Sequence, residues 1–161
     1  MKKLQKLQIG ADRWNFILDP TMARRSELLR DAVTVVVEGG IWWTKGNRAD
    51  VYATASVAEV VEKFPPSLVV WAPLESGPAW RAAGIQWHPL QFGAVMGPYG
   101  VPRHGGAFFA ALDLACERLG AKQVRVFGAS SWARGPQRWK RWALANCMRL
   151  GGAAGVAIER V

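Results

Sequence analysis

The run Val33-Thr34-Val35-Val36-Val37 constrains the fold more than any other stretch of this chain. Five β-branched residues in succession favour a strand over a helix. They do not alternate between apolar and polar, so a strand built from them is buried on both faces. Strands of that kind belong to parallel sheets covered on each side. Gly39-Gly40 ends the run. Leu68-Val69-Val70-Trp71, ended by Pro73, reads the same way, and Gln123-Val124-Arg125-Val126-Phe127 is a further strand that stops at Gly128. Shorter strands are expected at 51–54, 85–90 and 156–161.

Helical patterns fall between these strands. One covers about 56–63, with Ser56 as N-cap and Glu59 completing a capping box, and Phe64-Pro65-Pro66 stops it. A short helix is expected over 76–84. The best pattern is 107–119, apolar at 108, 109, 112, 115, 116 and 119, with Gly120 as its C-terminal cap. A basic, Trp-bearing helix is expected over 136–150, before Gly151-Gly152. The alternation predicts an α/β fold: a single Rossmann-like domain with a mostly parallel sheet of about five to six strands, helices on both faces and right-handed crossovers. Residues 1–31 read as an N-terminal helical arm, with its helix over 21–30, against a core of 32–161.

Composition agrees. Of 161 residues, 50% are hydrophobic and 11% aromatic, which excludes wholesale disorder and suits one domain with a core of its own. Apolar runs fall far short of the roughly 20 residues of a membrane-spanning helix. The basic start Met1-Lys2-Lys3-Leu4-Gln5-Lys6 leads into no apolar stretch, so no secretory signal is expected. Cys116 and Cys147 show neither metal-ligand nor disulfide spacing and read as reduced thiols of a cytoplasmic protein. Collagen-like, disulfide-rich and transmembrane classes are excluded. The net charge of +9 points to an anionic partner. It is unevenly placed: seven positive against four negative groups in 1–31, six against seven in 32–121, eight against one in 122–161.

In open α/β sheets ligands bind beyond the carboxyl ends of the strands, and three such places stand out. Glu38-Gly39-Gly40 follows the first strand; its glycines permit close backbone approach, and their N–H groups can hold phosphate. The alternative is a tight strand-to-loop turn. Arg103-His104-Gly105-Gly106 closes the loop 91–106, which holds five Gly and two Pro, and precedes the best helix. Free N–H groups and the helix dipole make such an entry an anion site. Arg103 adds a charge, and His104 is placed to move a proton near neutral pH. The alternative is a loop whose glycines serve only the turn. Gly128-Ala129-Ser130-Ser131 follows the penultimate strand, leaving room for a base or sugar beside two hydroxyls, or else capping the next helix. His88, before Pro89, reads more readily as a structural hydrogen-bonder. No metal-ligand spacing, Gly-x-Ser-x-Gly or flanking carboxylate pair is present, so metal sites and a serine triad are not expected. Arg134, Arg138, Arg141 and Trp142 carry much of the C-terminal charge; Arg138, Arg141 and Trp142 share a helix face suited to phosphate contact and stacking, or to a solvated surface with the Trp anchored in the core.

Two segments together carry a family resemblance. Val35-Val36-Val37-Glu38-Gly39-Gly40, followed by Ala49-Asp50-Val51-Tyr52, resembles the nucleotide-binding start of sialyltransferase-like proteins. Gly105-Gly106-Ala107 through Ala111-Leu112-Asp113-Leu114-Ala115, then Leu119-Gly120-Ala121-Lys122-Gln123-Val124-Arg125-Val126-Phe127-Gly128, resembles a later motif of that group. It is also similar to the domain of unknown function typified by archaeal hydroxymethylpterin pyrophosphokinases. The chain differs from them in carrying Glu38 where sialyltransferases have Asn, no His after Gly128, and no Asp in Trp71-Ala72-Pro73. The resemblance implies a Rossmann-like domain that binds a nucleotide, commonly a nucleotide-activated sugar. Glu38, Gly39 and Gly40 would line the nucleotide, with Gly105, Gly106 and Ser130 opposite; the strand-end reading adds Arg103, Gly128 and Ser131 to the nucleotide-binding set.

The expected function is therefore a metal-independent, glycosyltransferase-like enzyme of bacterial or phage type, taking an anionic nucleotide or nucleotide-sugar donor. His104 is its acid/base and Arg103 a phosphate contact; no other cofactor is expected. Two alternatives stand beside it: a non-enzymatic module binding nucleic acid through the 134–149 helix, and a degenerate fold acting as an interaction protein.

Overall fold

The computed structural model of the protein describes residues 11–55, 68–90, 103–129, 145 and 155–161. Apolar, β-branched and aromatic segments form seven strands: β1 (Arg13–Ile17), β2 (Val33–Val37), β3 (Val51–Ala53), β4 (Val69–Ala72), β5 (Trp87–Pro89), β6 (Gln123–Phe127) and β7 (Ala157–Arg160). They make one sheet in the order β5-β4-β3-β2-β1-β6-β7. Every neighbouring pair is parallel. The fold is α/β as expected, with seven strands rather than five to six.

The added strand corrects the reading of the N-terminus. Residues expected in a helical arm supply β1, which lies in the sheet between β2 and β6. The expected helix over 21–30 is replaced by two short 3-10 turns, Pro20–Met22 and Arg25–Glu27. Asn15 explains why β1 escapes the sequence pattern. It sits at 1% exposure in mid-strand, where a polar residue argues against burial. Its carboxamide is satisfied on both sides: Nδ2 donates to the Leu29 carbonyl (3.2 Å), and Oδ1 accepts from the Leu29 N–H (2.9 Å).

Both faces of the sheet are covered. On the first, Trp14, Phe16, Val35, Val37, Val51 and Trp71 pack with Phe108, Leu112 and their neighbours of helix α2 (Arg103–Asp113). On the second, Ile17, Val36, Tyr52, Val70 and Phe127 pack with Ala23, Trp43 and Trp80, the last from helix α1 (Gly77–Ala82). Val35 and Val36 thus face opposite cores, the two-sided burial anticipated for their run.

In the described connections that move the chain from β1 outward to β5, Ala23, Trp43, Ala49 and Trp80 lie on the second face and Leu18 and Ala55 on the first, whereas α2, which carries the chain back to β6, covers the first. After α2, a single π-turn, Leu114–Arg118, precedes Gly120 at φ +75°. No helix among the described residues is long and apolar enough to cross a membrane. The helices expected over 56–63 and 136–150 lie outside the described residues, save Ala145.

Candidate functional site

The strand order reverses at β1: β2 to β5 lie on one side of it, β6 and β7 on the other. Such a reversal sends neighbouring connections to opposite faces and leaves a crevice outside the carboxyl ends of the strands. Two of the three candidate strand ends meet here, both at β1.

The segment after β2 is a 3-10 turn, Glu38–Thr44. Glu38 has φ +48°. Its carboxylate accepts from the Ala55 N–H (2.6 Å) and the Thr54 hydroxyl (3.1 Å), bracing the ends of β2 and β3. Gly40 is seated against the end of β1, where a Cβ would lie 2.1 Å from the Ile17 carbonyl oxygen. Gly39 is exposed, with nothing within 4 Å of where its Cβ would be. After β6, Gly128 takes φ +91° and presses on Asp19, its would-be Cβ lying 2.7 Å from the Asp19 nitrogen. Asp19 Oδ1 accepts from the N–H (3.0 Å) and the hydroxyl (2.7 Å) of Thr21. Sequence reading missed Asp19 because it missed β1; the available signal was Asp19-Pro20 after the apolar Phe16-Ile17-Leu18.

The third candidate differs from its expectation in kind. Arg103, His104, Gly105 and Gly106 do not form a loop before a helix but the first turn of α2 itself. The helix reaches the carboxyl edge by topology. Its far end runs through the π-turn to the start of β6, where the N–H groups of Lys122 and Gln123 donate to the Asp12 carbonyl (2.8 and 2.9 Å) at the amino edge. Eleven α-helical residues climb about 16 Å, as far as a five-residue strand extends. The first turn of α2 therefore stands at the carboxyl edge, on the face opposite the Glu38–Thr44 turn. Ser130, Ser131, Arg134, Arg138, Arg141 and Trp142 lie outside the described residues.

A second concavity lies at the sheet's edge strand. His88 of β5, with Pro89 and Leu90, faces Ala110, Asp113, Leu114 and Arg118 across a cleft of about 130 Å³. Burial, aided by the Arg118 cation, lowers the His88 pKa below its ordinary 6.5. The imidazole is thereby held neutral, able to donate from one nitrogen and accept at the other.

The carboxyl edge thus offers exposed backbone at Gly39, a helix N-terminus on the opposite face and tightly packed glycines between. That is a geometry for holding an extended anion across strand ends. Compared with protein-family models, with curated proteins and with solved structures, the chain matches none.

Proposed function

We propose that the protein binds an anionic nucleotide or nucleotide sugar across the carboxyl edge of its sheet and uses it as the donor in a group transfer. The observation that carries this reading is the reversal of strand order at β1, with the first turn of α2 at the same edge. Phosphate oxygens would accept from the free N–H groups of that turn, with the helix dipole and Arg103 supplying positive potential. His104, in the same turn, would relay the proton of the transfer. Gly39 leaves backbone open to the ligand, while Glu38, engaged with Thr54 and Ala55, keeps the rim in shape.

Isothermal calorimetry with a panel of nucleoside diphosphates and nucleotide sugars tests the reading. At least one is expected to bind with 1:1 stoichiometry; silence across the panel removes its basis. With the bound donor, His104→Ala should lower turnover about 100-fold or more while the melting temperature holds. Unchanged turnover takes the proton-relay role from His104.

A further inference from the structure

Among the described residues the large hydrophobic side chains left exposed are Met22 (41%), Trp42 (60%) and Leu74 (69%). All three sit in 3-10 turns that follow the carboxyl ends of strands: Met22 after β1, Trp42 after β2, Leu74 after β4. All three thus lie at the edge to which the nucleotide is assigned above.

Trp42 is the most specific of the three. It lies two residues past Gly40, the glycine seated on the end of β1. Its outward direction is built in, because the next residue, Trp43, is buried in the second core. The turn is pinned on both sides: the Lys45 N–H donates to the Trp42 carbonyl (3.2 Å), the Thr44 hydroxyl to the Ile41 carbonyl (2.7 Å), and Asn47 Nδ2 to the Trp43 carbonyl (3.0 Å). The Lys45 ammonium stands 4.5 Å from the centre of the Trp42 ring. One face of the indole is thus covered by a cation, and the high exposure leaves the other available.

We infer that Trp42 is the stacking platform for the base of the bound nucleotide, with Lys45 holding the ring from behind. This rests on the nucleotide reading above and names the part of the ligand that the rim recognises. A flat, electron-rich ring on a rigid turn suits any nucleobase, since every base has a π-face. The ammonium holds the ring through its cation–π contact. The ligand class is therefore a nucleoside diphosphate or its sugar conjugate, rather than a bare phosphate ester.

The test compares Trp42→Leu with Trp42→Phe in calorimetric titrations of ADP, GDP, CDP and UDP, with thermal melts to show that both variants fold like the parent. Trp42→Leu should weaken the preferred diphosphate about 10-fold or more, and Trp42→Phe should keep it within about 3-fold of the parent. Equal affinities for the two variants, or a parent-like Trp42→Leu, overturn the platform while leaving the edge site standing. A parent protein that binds none of the four overturns both.

Discussion

Gly39 and Gly128 each follow a parallel strand, yet their environments demand opposite things of a side chain. At Gly128 the backbone is left-handed, φ +91°, and a methyl group would press on the backbone of Asp19. Neither strain is relieved by rotating a side chain, since the obstructing atoms are the Cβ, nitrogen and Cα of Asp19, all fixed by its backbone. Gly128→Ala should therefore cost about 3 kcal/mol in urea denaturation. At Gly39 the space is open and the residue is exposed. Gly39→Ala should change stability by no more than about 0.5 kcal/mol, so its effect on nucleotide affinity can be read separately from folding. Matching losses in the two variants would contradict this division. Sequence alone marks both as strand-ending glycines, because the spacing that flags a turn is local. The contact separating them joins residues 19 and 128, which no local pattern records.

At the scale of elements, the same contrast explains what was legible. β2 and β4 announce themselves because two-sided burial leaves an unbroken run of β-branched and apolar residues, and β6 because Val124, Val126 and Phe127 run into Gly128. β1 has Arg13 and Asn15 within its five residues, and it depends on Leu29, fourteen positions away, to satisfy the amide. Removing that amide strands a backbone N–H and a carbonyl in the connection to β2. Asn15→Ala should lower stability by about 2–3 kcal/mol, and native-state hydrogen exchange should speed up first at Leu29. Retained protection there would show that the pairing does not hold this connection. Asp50 has a similar duty, accepting from the Thr34 N–H (2.9 Å) while its own N–H donates to the Thr34 carbonyl (2.9 Å). The aspartate that opens the second strand in the family resemblance is, in this chain, a brace between β2 and β3. The start of α2 was misjudged because Gly105-Gly106 reads as a break in helical propensity, whereas Gly106 is buried and helical.

For the whole molecule, the order of the strands was the least legible property, since it is decided by packing between distant segments; with it went the position of the crevice, which exists only because the order reverses at β1. The placement of α2 against the sheet's edge strand has a measurable consequence of its own. It closes His88 into the cleft with Asp113 and Arg118, where burial, and after it the Arg118 cation, hold the imidazole pKa below 6.5. The folded protein then binds its proton less readily than the unfolded chain does. Below 6.5 the unfolded chain begins to take up a proton that the folded state still refuses. Stability from this group is complete above 6.5 and declines as the pH falls through the lowered folded-state value. Urea melts between about pH 8 and about pH 5 should show the acid loss, and His88→Gln should make it shallower by removing the titrating ring. Asp113 and Arg118 remain in that variant, so the difference between the two profiles belongs to the ring. Parallel pH profiles for parent and variant would mean that β5 and α2 do not close over His88 in solution as they do in the structure.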